Sequence, residues 1–494
     1  MFLCLCGLAR AQGTTYDAPT SIGGSGWVNT SHLWLPDDVN IIRGAIVQYN
    51  SRFDPSWQAL ARAHGFALII IDNYYVDTIC SKDGQNFLND LAWYANASGH
   101  PEITNLPFIF TGWSKGGQVA EAFNEWIPGR TISFIANKGA FYRSRPSYTH
   151  NAAALKTPAI VVAGEKDAEY RNTAITSLFE INRPNGAPWA LAFEGNSPHQ
   201  EGNVNGMFFT LFDHAIRARY PAGVTPLNGP VKLLDLPENS GWLATKPTIA
   251  NGLSGKIYPY AKYPGNRTTA CWLMDAGVAN LYRGFVTYDP AVTVTVVGGP
   301  VFAAGQTIQF NVAVNSALFP GWVSADLYDG AVKLGTVAHG GSNTVSAVRP
   351  WGGRGVTAIA RDAAGNERTS IPQPFIVSNA VAISNHPATP VHQTSADLKS
   401  TFSPAWGSYT ITAYWGTVNG GSNAANWQHS AVVGTYSGGD PVKLSYKATG
   451  LSSATTYYYT FSAAKSGKQV WPTHILNFTT NTTNPKAPTS TKPR

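Results

Sequence analysis

Three side chains, far apart in the chain, have the types and surroundings needed to turn a serine hydroxyl into a nucleophile. The first is Ser114, in Gly112-Trp113-Ser114-Lys115-Gly116-Gly117, which satisfies the pattern G-x-S-x-G. A serine hydroxyl is a weak nucleophile at neutral pH and must be exposed, aimed and placed beside a base. A sharp turn from a strand into a helix does this, and glycines around the serine let the turn close without a Cβ clash. Both flanking elements are legible. An apolar run at 108–111 precedes the turn, and Val119, Ala120, Phe123 and Trp126 follow at helical spacing until Pro128-Gly129.

The hydroxyl needs a base, and the base needs a carboxylate to hold it in the right tautomer. Where a G-x-S-x-G elbow carries such a triad, the acid follows the serine in the chain and the histidine comes last. Downstream of Ser114, the apolar run 159–163 leads into Gly164-Glu165-Lys166-Asp167. A carboxylate just past the C-terminal end of a parallel strand lies on the functional edge of the sheet. Asp167 is the expected acid, with Glu165 and Glu169 as competitors. The run 189–193 is followed by Glu194-Gly195-Asn196-Ser197-Pro198-His199, and His199 is the expected general base. His150 precedes the acid and breaks the order. His214 falls mid-helix, where a packed or exposed imidazole is expected.

Attack creates an oxyanion, which needs preorganised N–H donors. One is expected from the Lys115 backbone. The second is expected after the strand-like run 41–47, among Tyr49, Asn50 and Ser51, with Tyr49 preferred. Tyr49, Asn50 and Trp113 are also the expected walls of the acyl pocket. The Lys115 side chain is expected at the rim, where it either favours acidic substrates or is simply solvated.

Positioning these groups takes a sheet. The chain has 494 residues, enough for two to four domains. Strand-like apolar runs at 41–47, 66–71, 108–111, 132–136, 159–163 and 189–193 alternate with amphipathic stretches at 54–64, 85–97 and 203–220. That rhythm predicts an α/β catalytic domain over 12–289, a mostly parallel sheet with helices on both faces. Its end, from 222 to 289, shows no such rhythm. Gly241-Trp242-Leu243, 258–263 and Cys271-Trp272-Leu273 there suggest an ordered extension. Near 290 the period changes to two, and turn residues recur about every ten positions. Two all-β sandwiches are expected, over 290–379 and 380–480. The tail 481–494 is Thr-, Pro- and Lys-rich and is expected to be disordered.

Composition excludes several classes. The net charge of +7 comes from scattered Lys and Arg, without the basic run of a nucleic-acid binder. No apolar run is long enough to span a bilayer. There is no H-E-x-x-H, no Cys or His cluster with ligand spacing and no phosphate-cradling loop, so neither metal nor organic cofactor is expected. Residues 1–11 end in Ala9-Arg10-Ala11 after an apolar stretch and read as the remnant of a signal peptide, which implies secretion. Cleavage would remove Cys4 and Cys6. The remaining Cys80 and Cys271 are then expected either to pair as one disulfide or to stay as two buried thiols.

On Ser114 in its elbow, Asp167 in Gly164-Glu165-Lys166-Asp167 and His199 in Ser197-Pro198-His199, residues 31–288 resemble the secreted α/β-hydrolases of the esterase, cutinase and polyester-depolymerase group. A Trp before the serine, here Trp113, also occurs in some polyester-cleaving members. The resemblance implies hydrolysis of a carboxylic ester through an acyl-enzyme, without metal or cofactor. The substrate would be a short acyl ester, an ester on a polysaccharide or a polyester. The first sandwich resembles immunoglobulin-like domains. In the second, Gly450-Leu451-Ser452-Ser453-Ala454-Thr455-Thr456-Tyr457 resembles the tyrosine corner of fibronectin type III domains, with Tyr457 at the matching position. Trp322, Trp351, Trp406, Trp415, Trp427 and Trp471 are candidates to stack on sugars or polymers, or else form the sandwich cores. Two other functions remain open: a serine peptidase using the same triad, and a non-catalytic adhesion protein on a hydrolase-like scaffold.

Overall fold

The computed structural model describes residues 13–37, 39, 41–140, 151–249, 256–378, 381–403, 408–437, 442–465, 468–472 and 474–482. The signal-like segment 1–11, His150, Trp406 and the tail from 483 lie outside the described residues. The chain divides into two compact units, residues 1–302 with 306–378, and 303–305 with 379–494.

The first unit is built on a nine-stranded sheet: β1 (Gly13–Asp17), β2 (Ser21–Ile22), β3 (Val28–Pro36), β4 (Gly44–Tyr49), β5 (Phe66–Asp72), β6 (Phe108–Trp113), β7 (Thr131–Asn137), β8 (Ala159–Gly164) and β9 (Trp189–Glu194). The order is β1-β3-β5-β4-β6-β7-β8-β9, with β2 paired to β3. From β5 to β9 every pairing is parallel, and β3 runs antiparallel to β1, β2 and β5. This is the strand arrangement of the α/β-hydrolase fold. The six expected strands are all present, the first starting at Gly44 and not at Ile41, and their near-continuous apolar sequences are buried except at half-buried Ile41. A strand covered on both faces leaves no polar alternation.

Among the described residues, six α-helices accompany the sheet: α1 (Pro55–His64), α2 (Lys82–Ser98), α3 (Lys115–Trp126), α4 (Glu169–Asn182), α5 (Asn205–Arg219) and α6 (Ala276–Val286). Local chemistry fixes their ends. Asp54 caps α1 by accepting from the Ser56 amide at 2.8 Å, Pro55 opens the helix, and Gly65 at φ 68 ends it. The extension forms a small antiparallel sheet of β10 (Trp242–Ala244), β11 (Ile257–Pro259) and β12 (Cys271–Leu273), followed by α6.

Cys80 and Cys271 are both free thiols, so the expected disulfide is not formed. Cys271 is fully buried in β12, where its sulfur meets the Leu191 amide at 3.4 Å and the Tyr282 hydroxyl at 3.5 Å. Cys80 is exposed ahead of α2. A thiol enclosed against β9 has no approach to one at the surface.

The first sandwich contains β13 (Val292–Val297), β14 (Val301–Phe302), β15 (Thr307–Val314), β16 (Trp322–Asp329), β17 (Val332–Ala338), β18 (Thr344–Val348), β19 (Gly352–Asp362), β20 (Glu367–Thr369) and β21 (Gln373–Val377). One sheet runs β13-β15-β18 and the other β14-β21-β19-β16-β17, with β20 on β19. It does not stand apart from the nine-stranded sheet and its helices. Helix α5 buries 11 of its 15 residues, because one side meets the central sheet and the other meets β19. Glycines permit that contact. A Cβ on Gly353 would lie 2.6 Å from the Phe209 carbonyl oxygen, and one on Gly355 would lie 2.2 Å from that of Gly206. Trp351, 2% exposed, fills the seam. The Arg217 guanidinium lies 3.9 Å above its ring and donates to its carbonyl at 2.9 Å. Arg217 also pairs with Asp213, which holds the buried His64 at 2.8 Å.

The second unit is a sandwich of β22 (Ala382–His386), β23 (Ser395–Ser403), β24 (Ser408–Gly416), β25 (His429–Ser437), β26 (Val442–Thr449), β27 (Thr456–Lys465), β28 (Lys468–Val470) and β29 (Leu476–Thr479). Its sheets run β22-β23-β26 and β25-β24-β27-β28, with β29 on β27. The Ser452 amide donates to the Tyr457 hydroxyl at 3.0 Å, the tie expected of a tyrosine corner. Of the tryptophans considered for sugar stacking, Trp351, Trp415 and Trp427 are buried, and Trp322 and Trp471 are half-buried. They serve mainly as core.

Candidate active site

Ser114 lies between β6 and α3 with φ 56 and ψ −118. A non-glycine residue in this region is strained, at about 1–3 kcal/mol, and persists only where its surroundings over-determine it. Here the Ser114 amide donates to the Asn137 carbonyl at 2.8 Å, and the amides of Gly117 and Gln118 cap its own carbonyl. The glycines of the motif serve close approach. A Cβ on Gly112 would sit 2.7 Å from the Gly116 Cα, and one on Gly116 would sit 2.9 Å from the Tyr49 Cβ.

Asp167 follows β8 in a tight turn, with its amide on the Gly164 carbonyl at 3.0 Å. Its side chain is 1% exposed. One carboxylate oxygen, Oδ1, accepts from the Ala168 amide at 2.7 Å and from Arg171 at 3.1 Å. The other, Oδ2, lies 2.7 Å from His199 Nδ1, and His199 Nε2 lies 2.9 Å from Ser114 Oγ. Burial works against the Asp167 charge, but hydrogen bonds from His199, Ala168 and Arg171 outweigh it and hold the carboxyl below its usual range. An anion at Nδ1 places the imidazole proton there, which leaves Nε2 as the acceptor for the serine proton. The Trp113 ring, 40% exposed, leans on His199 with centroids 5.1 Å apart.

The competing residues are elsewhere. Glu165 uses its carboxylate on the Asn196 amide. Glu169 is exposed at the start of α4. His214 pairs with Asp275 at 2.6 Å, joining α5 to the capping residue of α6.

Around the serine, Lys115 is the first residue of α3, so its amide has no acceptor one turn back within the helix. Tyr49 ends β4 and packs on Gly116. Burial, with Asp72 and Tyr75 nearby, pushes its hydroxyl up to about 12. The Asn50 amide is taken by the Ile71 carbonyl at 2.9 Å, which removes it as an oxyanion donor. The Lys115 side chain does not project freely to the rim. Its ammonium lies 3.1 Å above the Tyr75 ring centroid and 5.8 Å from that of Tyr49.

Three contributors escaped the sequence reading. Arg171 was recoverable, standing one helical turn after Asp167. Asn137 and Lys138, just after the run 132–136, carry no local signal. Among the described residues there is no group of three or more His, Cys, Asp or Glu side chains placed to hold a metal ion. No helix among them is long and apolar enough to cross a membrane.

No protein-family model matches the chain, and no curated protein matches it. Solved structures to which it is similar include an esterase from Pyrobaculum calidifontis, 15% identical over 38% of this chain and 76% of that one, with a TM-score of 0.28. The feruloyl esterase module from Clostridium thermocellum complexed with sinapinate is 12% identical over 40% of this chain and 85% of that one, with a TM-score of 0.28. The sensor domain of the anti-sigma factor RsgI4 in Pseudobacteroides cellulosolvens is 21% identical over 23% of this chain and 100% of that one, with a TM-score of 0.17. The assignment of the site rests on the distances above.

Proposed function

We propose that this chain is a secreted serine hydrolase that cleaves carboxylic esters through an acyl-enzyme. The observation that carries the reading is the continuous chain Asp167–His199–Ser114, with contacts of 2.7 and 2.9 Å at the C-terminal edge of a parallel sheet. In this mechanism His199 takes the Ser114 proton as Oγ attacks the ester carbonyl. The Lys115 amide, with a donor from the Tyr49 side, stabilises the oxyanion. The imidazolium, held by Asp167, then protonates the leaving alcohol. Water repeats the sequence on the acyl-enzyme and frees the acid.

The exposed Trp113 and the neighbouring Tyr49 favour a bulky or polymeric ester, on a polysaccharide or in a polyester. The strand orders favour an immunoglobulin-like reading of the first sandwich. The Tyr457 tie favours a fibronectin type III reading of the second. Spacing or surface contact is their proposed role.

A fluorophosphonate probe is expected to label Ser114, and p-nitrophenyl esters are expected to turn over while peptide p-nitroanilides do not. Ser114→Ala should abolish both. Anilide turnover would make the protein a peptidase. Failure of Ser114 to label would favour a binding protein on this scaffold.

A further inference from the structure

We propose that Lys138 and Glu194 are positioning residues, a buried ion pair that holds the His199 loop at the working distance from Ser114. The proposal rests on the triad reading above. Lys138 directly follows β7 and takes a positive φ of 49. Its side chain is 0% exposed, and Glu194, at the end of β9, is 3% exposed. β7 and β9 are not neighbours, since β8 lies between them. The lysine stem crosses the end of β8 over Gly164, where a Cβ would sit 3.0 Å from Lys138 Cε and 2.5 Å from the Ser197 carbonyl oxygen.

At the far side the ammonium meets three acceptors. It donates to Glu194 Oε2 at 2.6 Å, to Ser197 Oγ at 3.1 Å and to the Gln200 carbonyl at 2.7 Å. Ser197 and Gln200 bracket His199, so the base sits between two points fixed to one cation. The rest of the loop is tied to Glu194 and to Asn137, the residue before Lys138. The other Glu194 oxygen accepts from the Asn203 amide at 2.7 Å, and Asn137 Nδ2 donates to the Glu201 carbonyl at 2.8 Å.

A charge taken wholly out of water is retained only with a full set of partners. Each of the ammonium's three protons has one here. Its acceptors belong to Glu194, Ser197 and Gln200, none of them a member of the Asp167–His199–Ser114 chain. Its chemistry is therefore orientation: it sets the direction of the imidazole, and a displacement of about 1 Å at such a base can cost on the order of 100-fold in rate.

The test compares Lys138→Met, Lys138→Met/Glu194→Gln and Ser197→Ala in the full chain. Lys138→Met alone strands the Glu194 charge and is expected to fold poorly. The double variant removes both charges and is expected to regain most of the melting temperature. Its kcat on a p-nitrophenyl ester should still fall by on the order of 100-fold with KM within about threefold. Ser197→Ala, which removes one acceptor, should lose several-fold in kcat. Amide exchange in residues 195–203 should rise in the double variant, whether or not the protein turns over esters. A folded double variant with near-normal kcat overturns the proposal. So does unchanged exchange in that loop, even if Ser114 never labels. Absent labelling with raised exchange would refute the triad reading and leave the clamp standing.

Discussion

Changing Asp167 to Asn tests the electrostatic logic of the site with almost no change of shape. The outcome is set by how the carboxylate's two oxygens are used. Oδ1 receives two donors, the Ala168 amide at 2.7 Å and Arg171 at 3.1 Å, whereas Oδ2 faces His199 Nδ1 at 2.7 Å. An asparagine must keep its oxygen at the Oδ1 position, because an NH2 there would oppose both donors. Its NH2 then faces Nδ1 and forces that nitrogen to accept. The imidazole proton moves to Nε2 and points at the Ser114 hydroxyl, so the base can no longer take the serine proton. The same isosteric change in triad proteases costs about 10⁴ in kcat, equivalent to about 5 kcal/mol of transition-state stabilisation. A loss of 10³–10⁴ in kcat on a p-nitrophenyl ester is expected, with KM changed by no more than a few-fold. Removing Arg171 as well should ease the bias, since only one donor then opposes the flipped amide. An Asp167→Asn enzyme within tenfold of the parent would refute the tautomer argument. A large loss accompanied by unfolding, read by near-UV circular dichroism, would refute the claim that the change is local.

Other regions make independent predictions. Trp351→Ala empties the seam between α5 and β19 and should cost about 3–5 kcal/mol in denaturant unfolding. The parent's first unit should melt in one transition, which two separate transitions would contradict. Burial raises Asp90 to about 6, against hydrogen bonds from Tyr74 and Ser31. Its folded-state value thus lies above the unfolded value, so its contribution is fully present below about pH 4 and lost as pH rises through 6, about 3 kcal/mol in all. Asp90→Asn should therefore be more stable than the parent at pH 8 and no more stable at pH 4, as urea unfolding at both pH values will show. The Cys271 thiol is buried and pushed up to about 11. A thiol reagent on the native protein should therefore modify Cys80 and spare Cys271, and reductant should leave the melting temperature unchanged.

The triad was legible because each member follows a strand whose sequence announces itself. The runs 159–163 and 189–193 are apolar throughout, and the chain order of the three residues adds a constraint that chance seldom meets. The elements that escaped did so for physical reasons. β3 opens on the polar stretch Asn29-Thr30-Ser31-His32, turns apolar only at Leu33-Trp34-Leu35 and ends in proline, so neither a period of two nor a continuous apolar run marks it. α6 carries Gly277 and Gly284 in 11 residues, which lowers its propensity, and packing against α5, β9, β19 and the extension compensates. The glycines of β19 carry no sign in the sequence of the close approach of α5 that they permit. Lys138 is the clearest case. Nothing local marks it as buried, because its partners come from a strand two places away in the sheet and a loop some 60 residues downstream.

The site is built across the C-terminal edge of the sheet. Its parts come from four consecutive strands, β6 through β9, whose registers align Trp113 with Asn137, Asn137 with Val162, and Gly164 with Glu194. Ser114, Lys138, Asp167 and His199 all follow those aligned ends within a few residues. A two-residue slip of any one strand would keep its apolar faces buried yet displace its contribution by about 6.6 Å. The core alone would tolerate such a slip. The bonds that cross the edge, from Ser114 to Asn137, Asn137 to Glu201 and Lys138 to Glu194, would not. Burial therefore selects the sheet, and the polar ties at its rim select the one register in which the hydroxyl and the imidazole meet.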